Sequence, residues 1–128
     1  MKRIGKNKTN LGVMGEDIAK KYLINKGFNI VTQNFKTYHG EIDIIAKMNH
    51  EIYFIEVKSI NISHGTLKKI DPRDNFTQSK SQKFEKAIEY YLISHGEISI
   101  FKTVLICLYI DTKDKTAKVH YIENPILS

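Results

Sequence analysis

Asp43, Glu56 and Lys58 are the residues whose types and spacing offer chemistry. They fall in GEIDIIAKMNHEIYFIEVKS, residues 40–59, which reads as two strands meeting at Asn49-His50. Each half alternates its side chains between two faces, and an Asn-rich dipeptide between such halves is a hairpin signal. A tight turn centred on Asn49 and His50 predicts Ile45 opposite Phe54, Asp43 opposite Glu56 and Glu41 opposite Lys58, all on one face. That face begins apolar beside the turn and becomes charged at its far end. Directly opposed Cα atoms are about 4.5 to 5.5 Å apart, where like charges destabilise a ladder. Something positive is therefore expected between Asp43 and Glu56. A divalent cation is the economical choice, because paired carboxylates either force one pKa up or bind metal, and oxygen ligands suit Mg²⁺ or Mn²⁺. Lys58, about 6 to 7 Å further along the strand, adds a cation at the rim. The alternative is a surface hairpin whose Asp, Glu and Lys do no chemistry, and a turn one residue longer would separate the two carboxylates.

The elements that must position these groups follow from periodicity. Residues 11–26 form a helical pattern with Ile18, Ala19, Tyr22 and Leu23 as its apolar stripe and Gly27 as its stop. Glu16 lies on that stripe. A core-facing glutamate is either paired beside a functional cavity or tolerated near the helix start by the helix dipole. Residues 28–35 read as a first strand, and 60–75 as a loop carrying Lys68, Lys69 and Arg73, which either contact substrate phosphates or stay solvated. A second helix runs from 76 or 77 to 94, with Phe84, Ala87, Ile88, Tyr91 and Leu92 at helical spacing and Lys80 on the same face near its start. Residues 98–110 form a strand apolar on both faces, 111–116 a turn and 117–123 a closing strand. The order αβββαββ predicts an α/β fold: a mixed central sheet covered by helices, with a right-handed crossover between the third and fourth strands. In such sheets sites lie at the carboxyl ends of parallel strands, and Glu56 and Lys58 are read as near the end of theirs.

The 128 residues are read as one domain, 1–128, with residues 1–10 a basic arm that touches phosphates or an unstructured tail. The start is basic without the apolar core of a signal peptide, and no run approaches the length of a membrane span. A soluble, cytoplasmic protein is expected. Cys107 stands alone in an apolar run, which excludes an internal disulfide and a cysteine-based zinc site, and it reads as a small buried hydrophobe. The five histidines show no ligand spacing; His39 and His64 are the two to watch. Twenty Lys plus Arg against fourteen Asp plus Glu leave a net charge of +6, which favours a polyanionic partner, nucleic acid being the commonest. A carboxylate and metal cluster in a basic chain suits phosphodiester chemistry.

Taken together, GEDIAKKYL, GEIDIIA, FIEVKS and a helix bearing Lys80 and AIEYYL, in that order over about residues 10–95, resemble the YraN-like family of small bacterial proteins. That family is related to archaeal Holliday junction resolvases within the PD-(D/E)XK nuclease superfamily. The resemblance implies a restriction-endonuclease-like core and a metal-dependent endonuclease. Asp43 and Glu56 would be ligands of Mg²⁺ or Mn²⁺, Glu16 would complete the acidic site from its helix, and Lys58 would stand at the scissile phosphate. Lys80 lies close by, Glu41 supports the site, and no small-molecule cofactor is called for. It also implies homodimers and DNA, branched DNA such as Holliday junctions in particular. Relatives often carry arginine just before GEID and just after EVK, where this chain has His39 and Ile60; the change removes two planar, bidentate phosphate donors. Lys58, flanked by carboxylates, is expected to orient water and offset developing charge. A nucleic-acid-binding or assembly subunit that keeps the scaffold without cutting is the rival from another class.

Overall fold

The structure, a computed structural model, describes residues 10–63, 76–96 and 100–125. Its elements are α1 (Asn10–Asn25), β1 (Asn29–Lys36), β2 (Glu41–Met48), β3 (Glu51–Asn61), α2 (Gln78–Ser94), β4 (Phe101–Asp111) and β5 (Thr116–Glu123), in the expected order αβββαββ. Local chemistry accounts for the helix ends. Gly27, at φ 100°, closes α1: its amide donates to Ile24 O at 3.0 Å and that of Phe28 to Leu23 O at 3.0 Å, with the Leu23 and Phe28 side chains meeting in the core. Thr77 caps α2 by accepting from the Lys80 amide at 3.3 Å.

Asn49 (φ 52°) and His50 (φ 69°) are both left-handed, the mirror-image turn whose twist matches that of paired strands. The turn sets the register read from the sequence, Ile45 facing Phe54. The five strands lie side by side in chain order; β3 and β4 are parallel and every other pair is antiparallel. The α2 helix lies between the two parallel strands in the chain.

Two apolar layers hold the helices to the sheet. Ala19 and Leu23 of α1 pack with Ile44, Tyr53, Ile55, Val104 and Ile106, whereas Phe84, Ala87, Ile88 and Tyr91 of α2 pack with Ile45, Ile52 and Phe54 on the other face. Each fully buried Leu, Ile, Val or Phe side chain contributes about 1.5 to 3 kcal/mol. The β4 strand is buried over Val104 to Leu108, as its apolar run predicts.

The structure corrects two expectations. The β2–β3 pairing ends at Ile44 facing Ile55, one step short of Asp43, so neither Asp43 with Glu56 nor Glu41 with Lys58 forms a cross-strand pair. Glu56 and Lys58 are also not near the end of their strand: β3 continues to Asn61 because its parallel pairing with β4 persists through Asn61 facing Ile110 after β2 has left. The departure coincides with a slip in the alternation of β2. Ile42 joins the α2 layer with Ile45, while Ile44 and Ala46 face α1. Across from that slip Asn34 of β1, between the partners of Ile44 and Ile42, has φ 54°.

Candidate active site

Where β2 parts from β3 the sheet opens into a cleft of about 650 Å³. Glu16, Glu41, Asp43, Glu56, Lys58 and Lys80 all line it. Every predicted site residue that the structure describes is thus brought to one place, although through a fork in the sheet rather than across a continuous ladder.

Asp43 sits at the fork and is only 6% exposed. Its Oδ2 accepts from the Val57 amide at 2.8 Å. Val57 is two residues beyond Ile55, so its N–H points to the edge that β2 would have covered; the Asp43 carboxylate takes the place of the missing strand partner. The positive partner expected beside Asp43 is therefore, in part, a backbone N–H dipole. Glu56 and Lys58 follow Phe54 on the α2 side of β3 by strand alternation, and the Glu56 Oε1 atom is buried.

Glu16 reaches the cleft from the opposite layer. It lies in the second turn of α1 and is 8% exposed. Gly15 lets the helix backbone settle on β3: a Cβ there would run into the Ser59 hydroxyl, a buried group with no hydrogen-bond partner among the described residues. With α1 held that close and β2 gone, the next side chain, Glu16, opens onto the same cavity as Glu56. On the other side, a Cβ at Gly40 would come within 2.8 Å of the Lys83 carbonyl, so the loop before β2 abuts α2.

Sequence reasoning missed Lys83, which also lines the cleft. Its signal was present: it is three residues after Lys80, hence its neighbour on the helix surface. Val57, Phe76, Phe84 and Leu105 make the apolar part of the wall. Lys68, Lys69, Arg73 and His64 lie outside the described residues, as do residues 1–9 of the basic arm. His39 is exposed and lines a separate, shallow pocket with Lys86, Glu89, Tyr90 and Ile93. Cys107 is fully buried, and burial pushes its thiol up, against smaller opposite effects of a hydrogen bond with Tyr109 and the charge of Lys58. A nucleophilic role for it is excluded on both counts.

The donor set of the cleft is carboxylate oxygen, the chemistry that Mg²⁺ and Mn²⁺ prefer. Among the described residues no three His, Cys, Asp or Glu side chains are drawn together tightly enough to form a ready cage. Mg²⁺ commonly keeps several waters and takes only one or two carboxylates, so oxygen donors such as those of Asp43 and Glu56 suit its chemistry without a three-residue cage. Among the described residues no helix is long and apolar enough to cross a membrane.

Over residues 15–111 the chain matches the uncharacterised protein family UPF0102. It is 42% identical over 100 residues to a UPF0102 protein of Campylobacter lari, covering 78% of this chain and 84% of that one. A UPF0102 protein of Campylobacter fetus is 34% identical over 113 residues, 88% of this chain and 90% of its own length. One from Thermotoga neapolitana is 40% identical over 81 residues, 63% and 70% of the two chains. The matched span runs from Gly15 through Glu16, Asp43, Glu56 and Lys58 to Asp111.

Proposed function

The chain belongs to the uncharacterised protein family UPF0102, the YraN-like family, and we propose that it is a metal-dependent endonuclease of the PD-(D/E)XK kind that hydrolyses phosphodiester bonds in DNA, branched DNA included. One observation carries this reading: Asp43, Glu56 and Lys58, with Glu16 entering from the other helix layer, share a single cleft whose second wall presents Lys80 and Lys83.

Acids and bases in the cleft have separable tasks. Asp43 and Glu56 would hold Mg²⁺ or Mn²⁺, with Glu16 as the third carboxylate. When bound, the cation supplies positive charge opposite the phosphoryl oxygens and makes water a better nucleophile. The Val57 amide holds the Asp43 carboxylate in one orientation, so that its charge is in place before substrate arrives. Lys58 directs its ammonium at the non-bridging oxygens, where negative charge grows during in-line attack. Lys80 and Lys83, one helical turn apart, grip phosphates on either side of the reacting one. The low exposure of Asp43 and Glu16 limits solvent screening of those two carboxylates.

The test is cleavage by Asp43→Ala and Glu56→Ala proteins on a panel of junction, flap, duplex, single strand and RNA. Each variant is expected to lose Mg²⁺-dependent cleavage by a factor on the order of 10³ while its affinity for DNA stays within a few-fold of wild type. A variant that cuts at the wild-type rate refutes the assignment. Mn²⁺ binding with no cleavage of any form would instead assign a nucleic-acid-binding subunit on a nuclease scaffold.

A further inference from the structure

Tyr38 is 98% exposed, the most exposed large apolar side chain among the described residues. A solitary exposed aromatic needs no special explanation. This one differs in its mounting. The loop that carries it is tied shut by Thr37, whose hydroxyl accepts from the amides of His39 and Gly40 at 3.1 Å each and donates to Gly40 O at 2.8 Å; the Thr37 amide donates to the same carbonyl at 2.8 Å. A loop so closed fixes the backbone that carries Tyr38, so that little backbone order remains to be lost on binding.

Its position also differs. Gly40 and Glu41, two and three residues on, line the catalytic cleft, and Gly40 rests against Lys83. The Tyr38 Cα is thus within about 7 Å of Gly40, roughly two base steps of a nucleic-acid strand. Two lysines are near: Lys83 on the cleft side, across from Glu41, and Lys86 in the adjoining pocket, which it shares with His39 and Glu89. The His39 ring meets that of Tyr38 edge to face at 5.3 Å, which leaves the tyrosine ring open to solvent. An exposed aromatic ring on a closed loop, with Lys83 and Lys86 near it and the proposed phosphate site beside it, has the make-up of a base-stacking platform.

We propose that Tyr38 stacks on an unpaired base of the substrate next to the phosphate held in the cleft, so that DNA with unpaired nucleotides beside the cut is preferred over continuous duplex. The inference rests on the nuclease reading for its substrate, but it concerns binding and is measured without divalent metal. Equilibrium binding in EDTA is compared for wild type, Tyr38→Ala and Tyr38→Phe, using a blunt duplex, a duplex with a short single-stranded gap, and the same gap built from abasic nucleotides. Tyr38→Ala is expected to weaken binding to the gapped duplex about tenfold and to the blunt duplex less than twofold, with Tyr38→Phe near wild type. Wild type should bind the abasic gap as Tyr38→Ala binds the normal one. As the sequence has no tryptophan, Tyr38→Trp adds a single reporter whose fluorescence should be quenched by the normal gap and not by the abasic one. Equal loss on blunt and gapped DNA, no loss on the gap, or no binding to any of the three overturns the proposal. Loss of cleavage in Asp43→Ala alongside unchanged gap binding in Tyr38→Ala would sink this inference and leave the nuclease reading standing.

Discussion

The two ends of the β2–β3 hairpin obey opposite rules. At the turn end every ladder position from Met48 facing Glu51 to Ile44 facing Ile55 is paired, and Ile45, Ile52 and Phe54 are buried against α2. At the other end the ladder stops, a carboxylate accepts the amide that the missing partner would have taken, and charged side chains line a cavity. The contrast shows how a small domain makes room for chemistry. A continuous ladder satisfies its own hydrogen bonds and closes over a dry core, whereas a fork leaves backbone donors that a side chain must meet and space that a substrate can enter.

Substitutions at three positions break or sharpen this contrast. Phe54 is fully buried, its ring 5.5 Å from those of both Tyr91 and Phe101. Phe54→Ala should cost about 3 to 5 kcal/mol of stability, read as a lower urea midpoint with unchanged slope. A loss under 1 kcal/mol would mean the turn end is not the packed half. Asp43→Ala leaves the Val57 amide without its acceptor and should cost about 1 to 3 kcal/mol, while Asp43→Asn keeps an acceptor oxygen and recovers most of that. Both should be equally inactive. If Asn is as destabilising as Ala, the carboxylate is not acting as the strand's substitute. The smallest effect is expected at the turn. His50 sits at φ 69°, so His50→Gly should raise stability by about 0.5 kcal/mol, measured by the same denaturation, and leave cleavage untouched.

Much of the fold was legible because it is local. The Asn49-His50 turn dictates which β2 residue meets which β3 residue, and Ile45 does face Phe54. The α2 stripe runs through Phe84, Ala87, Ile88 and Tyr91, and α1 ends on Gly27, each as spacing predicts. The site was legible as a set of residues and misread as a geometry. Extending the hairpin register to Asp43 assumed that a ladder, once begun, continues; Asn34 at φ 54° and the slip at Ile42 lie in the pairing with β1, which the hairpin pattern does not report. Lys83 and Tyr38 were passed over for a related reason. A lysine on a helix and a tyrosine in a loop acquire meaning only from what lies beside them.

From its sequence alone this chain declared the order of its elements, its hairpin register, its family likeness and the acid, acid, lysine set, because turn conformation, side-chain periodicity and residue type act over a few neighbouring positions. Tertiary structure decided where β2 leaves β3, that Glu16 enters the same cavity from the opposite layer, and that the Val57 amide completes the Asp43 environment. Those outcomes depend on two helices pressing on opposite faces of one sheet and on strand pairings between distant parts of the chain, and such forces leave no mark on any short stretch of residues.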